Sequence, residues 1–162
     1  MSEAMTDATT RPARRLTDAE MSVWLPLIRV VQLLPQALDR TLREESGINH
    51  AHYAILVTLA RSKEAAVTMG ELAQIAGLSR SRLSHAIDAL AARGWVRRSA
   101  CAVDKRSARP VLTDEGWEVL RAAAPAHVAQ IRELILDRLD ESELEQLAAI
   151  ANKLLPEVER AL

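Results

Sequence analysis

The tightest constraint on the fold is a run of local signals between Thr68 and Thr113, where hydrophobic spacing changes from helical to strand-like. Thr68-Met69-Gly70-Glu71 has the spacing of a capping box and predicts a short helix ending near Gly77. Ser79 then caps a second helix, from Arg80 to about Arg93, which Gly94 stops. Two helices joined by a few residues around a glycine form the helix-turn-helix pattern. Strand-like runs follow, from Trp95 to Cys101 and from Arg109 to Thr113, separated by the polar, charged residues 102–108. They predict a two-stranded hairpin with a cationic tip, a wing.

The flanks of this region are helical in pattern. Residues 1–15 read as a polar tail, and Thr17-Asp18-Ala19-Glu20 opens a helix with a second capping box. Trp24, Leu27, Val31, Leu34, Leu38 and Leu42 recur at steps of three and four, interrupted by Pro26 and Pro35, so a kinked or segmented helix closing at Gly47 is expected. Asn49 caps a helix to about Arg61 whose apolar face carries Tyr53, Leu56, Val57 and Ala60. Thr113 caps another to roughly Leu139, with Pro125 as a bend, and Asp140 caps a last one to near Arg160. With three Trp, one Tyr and no Phe, the core must be aliphatic, a composition that favours helices. The fold class is therefore mainly α, within α+β. The expected organisation is a tail (1–15), an N-terminal helix (16–47), a winged helix-turn-helix (48–113) and C-terminal helices (114–162).

Charge is distributed unevenly. Residues 79–109 hold eight Arg or Lys against Asp88 and Asp104, a segment of +6 in a chain whose net charge is −1. A basic patch on an acidic body is the electrostatic footprint of a nucleic-acid binder. One cysteine, Cys101, excludes an internal disulfide and fits a reducing cytoplasm. The N-terminus lacks the apolar centre of a signal peptide, and charge-free stretches such as residues 30–38 fall well short of the ~20 residues a spanning helix needs. A cytoplasmic protein without a membrane partner is expected.

On the helical wheel of residues 79–93, Leu83, Ala86, Ile87 and Leu90 share one face, and Ser81, Ser84, His85 and Asp88 lie opposite. Arg82 sits on the flank. Hydroxyl side chains near a helix N-terminus suit phosphates, and Arg82 and His85 have the reach for base edges. A solvated face of an ordinary amphipathic helix would have the same pattern. The short helix before it and the cationic hairpin after it favour the nucleic-acid reading.

The succession Gly70-Glu71-Leu72-Ala73, then residues 78–84 (LSRSRLS), residues 88–98 (DALAARGWVRR), Asp104-Lys105-Arg106 and residues 112–116 (LTDEG) resembles the multiple-antibiotic-resistance regulator (MarR) family over residues 16–160. The resemblance implies a homodimeric transcription regulator, by default a repressor, with its first and last helices paired across a two-fold axis. The target would be a pseudo-palindromic operator in double-stranded DNA, read by one recognition helix per half-site in the major groove. Together with the helical wheel and the charge pattern, the resemblance points to DNA contacts by Ser79, Arg80, Ser81, Arg82, Ser84, His85, Arg97, Arg98, Lys105, Arg106 and Arg109. On the wing, Asp104 orients Arg106 at the minor groove. His85 stands where the family often carries Arg, which alters the base preference expected there. The family often takes small anionic or aromatic effectors, for which Trp24, Arg29, His52 and Tyr53 are the candidate lining residues.

Other chemistries are weaker. His50 and His52 diverge by about 200° on a helix, so no metal is expected. Cys101 reads as a small strand residue, although Arg97 and Arg98 nearby could lower its pKa. With no nucleophile beside a base and no phosphate-binding glycine loop, neither an enzyme nor a cofactor is expected. The competing class is a dimeric adaptor that uses the same helices without DNA.

Overall fold

The computed structural model describes residues 15–62, 67–99 and 109–161. Their elements are α1 (Asp18–Ser46), α2 (His50–Arg61), α3 (Met69–Ile75), α4 (Arg80–Ala92), β1 (Val96–Ser99), β2 (Arg109–Leu112), α5 (Asp114–Leu134), a 3₁₀ turn (Leu136–Arg138) and α6 (Glu141–Arg160). The strands form an antiparallel pair with Val96 opposite Leu112 and Ser99 opposite Arg109. The architecture is the mainly α winged helix-turn-helix that the sequence predicts. Asp104, Lys105, Arg106 and Cys101 lie outside the described residues.

Each helix start is fixed locally. The Thr68 hydroxyl accepts the Glu71 N–H, and the Glu71 carboxylate accepts the Thr68 N–H. Thr17 with Glu20, and Asp140 with Glu143, repeat the reciprocal pattern. Asn49, Ser79 and Thr113 cap α2, α4 and α5 from one side only. Helices α3 and α4 are stopped by glycines with positive φ, Gly77 at 63° and Gly94 at 76°.

The division of the described chain into two compact units falls between Leu34 and Pro35. In the N-terminal unit, α1 exposes Val23, Trp24, Leu27, Val30 and Val31. By length and composition α1 is apolar enough to cross a membrane, and only 6% of that apolar window is buried. A segmented helix does not result: α1 is assigned as one uninterrupted helix through Pro26 and Pro35. A proline removes one hydrogen bond; around Pro35 the strong helix formers Leu33, Leu34, Gln36, Ala37 and Leu38 support the remaining ladder, whereas the Val, Trp and Ile residues near Pro26 are weaker formers.

The second unit holds the core. Leu42, Ile48, Ile55, Leu56, Leu72, Leu83, Ile87 and Leu90 are its largest fully buried side chains, joined by Val96 from β1 and Ala123 from α5. Helix α5 ends at Leu134, short of the expected Leu139. Ile135 leaves helical geometry, and the 3₁₀ turn is held by Arg138 Nε donating to the Glu133 carbonyl and by an Arg132–Asp137 ion pair of 2.9 Å. No glycine or proline marks that break.

The wing base is pinned to the start of α5. Thr113 donates its N–H to the Trp95 carbonyl and its hydroxyl to the Gly94 carbonyl. A Cβ at Gly116 would collide with the Trp95 carbonyl oxygen and crowd Leu112. Gly116→Ala should therefore destabilise the fold by ~1–3 kcal/mol, which lowers the melting midpoint by several degrees in a thermal scan. An unchanged midpoint would show that α5 approaches the wing less closely.

Candidate nucleic-acid interface

The polar face of α4 is free because its opposite face is committed. Leu83, Ile87 and Leu90 are buried, while Arg80, Ser81, Arg82, His85 and Asp88 are exposed and Ser84 is half-buried. Ser79 accepts the Arg82 N–H at 3.3 Å, and this fixes the first turn. One helix thus brings together six of the sequence-predicted contacts: Ser79, Arg80, Ser81, Arg82, Ser84 and His85.

The wing strands add three cations. Arg97 and Arg98 are exposed on β1, and Arg109 is half-buried on β2. Arg109 lies near Glu71, whose carboxyl is held below its usual pKa first by the Thr68 N–H and hydroxyl and then by this guanidinium. Arg98 Nη2 donates to Asp88 Oδ1 at 2.8 Å, an ion pair between wing and recognition helix. At the end of α4, the Arg93 guanidinium stacks over the Trp95 ring, 4.8 Å from its centroid.

The effector candidates divide between the two units, Trp24 and Arg29 in the first and His52 and Tyr53 in the second. Trp24 and Arg29 are exposed on α1, with Trp24 lining a shallow surface groove together with Ala19, Glu20, Val23 and Leu27. Tyr53 is buried in the core of the second unit, and His52 is half-buried beside the Arg93 and Arg43 charges.

Sequence reasoning missed a polar cluster where α2 meets α5. The ring of buried His127 lies 4.3 Å from that of Tyr53 and 5.6 Å from that of His50. Its Nδ1 has no hydrogen-bond partner among the described residues. Asp39 accepts the His50 N–H at 2.8 Å and pairs with Arg43 at 2.6 Å. Burial opposes ionisation of Asp39, but these partners outweigh it and lower its pKa. No local signal links His50 to His127, which are far apart in sequence and meet only through tertiary packing.

A profile of the MarR family matches residues 46–107. The HTH-type transcriptional regulator PecS of Dickeya dadantii is 30% identical over 128 residues, which cover 78% of this chain and 76% of PecS. The chain belongs to the MarR family. The transcriptional repressor MprA of Escherichia coli is 31% identical over 70% of this chain, and the match spans 64% of MprA's own length. The MarR-family regulator Sco3205 of Streptomyces coelicolor, crystallised in complex with DNA, superposes with a TM-score of 0.83. It is 42% identical, covering 89% of this chain and 94% of Sco3205. MarR proteins are transcription regulators, not enzymes, and their winged-helix fold is the one described above.

The histidines of this MarR protein make its stability depend on pH. Burial lowers the pKa of His127, and the nearby His50 lowers it further. Burial also lowers that of His50 against the pull of Asp39, and that of His52 with help from Arg93 and Arg43. In each case the folded environment favours the neutral imidazole. The stabilisation is whole above the unfolded value near 6.5 and is lost as pH falls below it toward the folded values. The melting midpoint should drop between about pH 7.5 and pH 5, and drop less in His127→Met. An identical drop in His127→Met would remove His127 from the account.

Proposed function

We propose that this protein is a homodimeric, sequence-specific regulator that binds double-stranded DNA. The recognition helix α4 would lie in the major groove and the wing at the minor groove. The observation that carries the reading is the exposed hydroxyl and cation face of α4, whose other face is sealed into the core beside the cationic strand β1. Arg82 and His85 would reach base edges, and Ser79, Arg80, Ser81, Ser84, Arg97 and Arg109 would hold phosphates. Outside the described residues, Asp104 would orient Arg106, with Lys105 on the backbone. The DNA in the Sco3205 crystal supports this reading by likeness.

A second copy of the chain is the partner that the exposed apolar faces call for. On α6, Leu147, Ile150, Leu154 and Val158 are all exposed at steps of three and four, and α1 carries a similar row. Rows of this kind in a DNA-binding family are covered by association rather than by lipid. Two-fold symmetry would then set the half-sites about one DNA turn apart. The organisation that follows is a DNA-binding region over residues 48–113 between dimerising helices, in a cytoplasmic protein.

Repression is the default outcome, because a dimer seated on a promoter occludes it, and MprA is a named repressor. Relief by a small anionic or aromatic effector rests on residue chemistry, with the Trp24 indole, the Arg29 cation and the His52 imidazole available and Tyr53 largely committed to packing. An effector that prefers the DNA-incompetent arrangement would shift the population and release the operator.

Selection of sites from random duplex DNA, with affinity followed against salt, tests the reading. A two-fold symmetric site and a log–log salt slope of several units are expected, each neutralised phosphate adding ~0.9. Arg82→Ala should weaken the selected site about 10-fold and relax one base position in each half-site. Absence of any enriched motif would favour the dimeric adaptor.

A further inference from the structure

We propose that Asp88 and Arg98 form a neutral clamp that sets the angle between wing and recognition helix, so that Arg98 is a positioning residue rather than a phosphate contact. The inference rests on the DNA-binding reading above and divides two adjacent arginines that sequence treats alike.

The strand register separates them. Side chains alternate along a strand, so Arg98 shares the face of Val96, which is 2% exposed and packs in the core beneath α4. Arg97 points to the other face. Across the ladder, Arg98 stands opposite Pro110, which is buried on the same side. This brings the Arg98 guanidinium to the Asp88 carboxylate at 2.8 Å, with both side chains still half in solvent.

The helix supplies the complementary reason. Asp88 follows Ser81 and Ser84 along the polar row of α4, the face offered to the polyanion. An unpaired carboxylate there would repel phosphates, whereas one neutralised by Arg98 would not. Wing and helix are already tied at their junction, where the Trp95 N–H donates to the Leu90 carbonyl and Thr113 holds Gly94 and Trp95. That junction is a hinge point only. The ion pair fixes a second point farther along both elements, and two points set an angle where one does not.

The test uses the full chain in two arms. In the free protein, amide hydrogen exchange along β1 should rise about 2- to 5-fold in Asp88→Asn and in Arg98→Gln, the range of an exposed ion pair. The double variant should show no further rise, and the reversed pair D88R/R98D should return toward the parent. In the second arm, on the duplex selected as above, D88N and R98Q should each weaken binding by a similar factor and combine without additivity. The salt slope of D88N/R98Q should match the parent, because the pair carries no net charge, whereas Arg97→Gln should lower it by ~0.9. Unchanged exchange, additive losses, or a slope reduced by ~0.9 in D88N/R98Q would overturn the clamp. If the parent itself fails to bind duplex DNA, the functional reading falls, and the exchange arm still decides whether the clamp exists.

Discussion

Leu83, Ile87 and Leu90 occupy one stripe of α4 and are buried together with Leu56 from α2, Leu72 from α3 and Val96 from β1. That seam fixes which way the helix faces. A helix of 13 residues is marginal alone, so its stability and its rotation come from this packing. Rotating it by one residue would bury Asp88 or Ser84 and expose a leucine. Each buried aliphatic side chain that resists such a turn contributes roughly 1.5–3 kcal/mol. The polar row is therefore held outward by the core behind it, and the wing inherits its position from the same seam through Val96 and the Trp95–Leu90 hydrogen bond.

Much of this was legible in the sequence because the decisive signals are local. Thr17, Asn49, Thr68, Ser79, Thr113 and Asp140 each cap a backbone N–H three residues on, and such contacts need no knowledge of the rest of the chain. Gly77 and Gly94 stop helices through their own φ values. The wheel of α4 separated its buried and exposed faces correctly for the same reason.

What escaped the sequence depends on tertiary placement. Ile135 breaks α5 with no glycine or proline to announce it, and the turn beyond is held by Arg132 and Arg138 side chains. Pro26 and Pro35 suggested a kinked or segmented helix, and of these the uninterrupted α1 excludes only segmentation. The meeting of His50, Tyr53 and His127, and the pairing of Asp88 with Arg98, join residues that no spacing rule connects. Arg97 and Arg98 looked equivalent as letters, and only the strand register separates them.

In the proposed complex, two copies of α4 would read one face of a duplex in adjacent major grooves. Methylation interference on the selected duplex tests it most directly. Two symmetric patches of major-groove guanine N7 interference are expected, with centres about 10 base pairs apart, together with weaker minor-groove adenine interference outside them. A single patch, or uniform weak interference along the duplex, would contradict it.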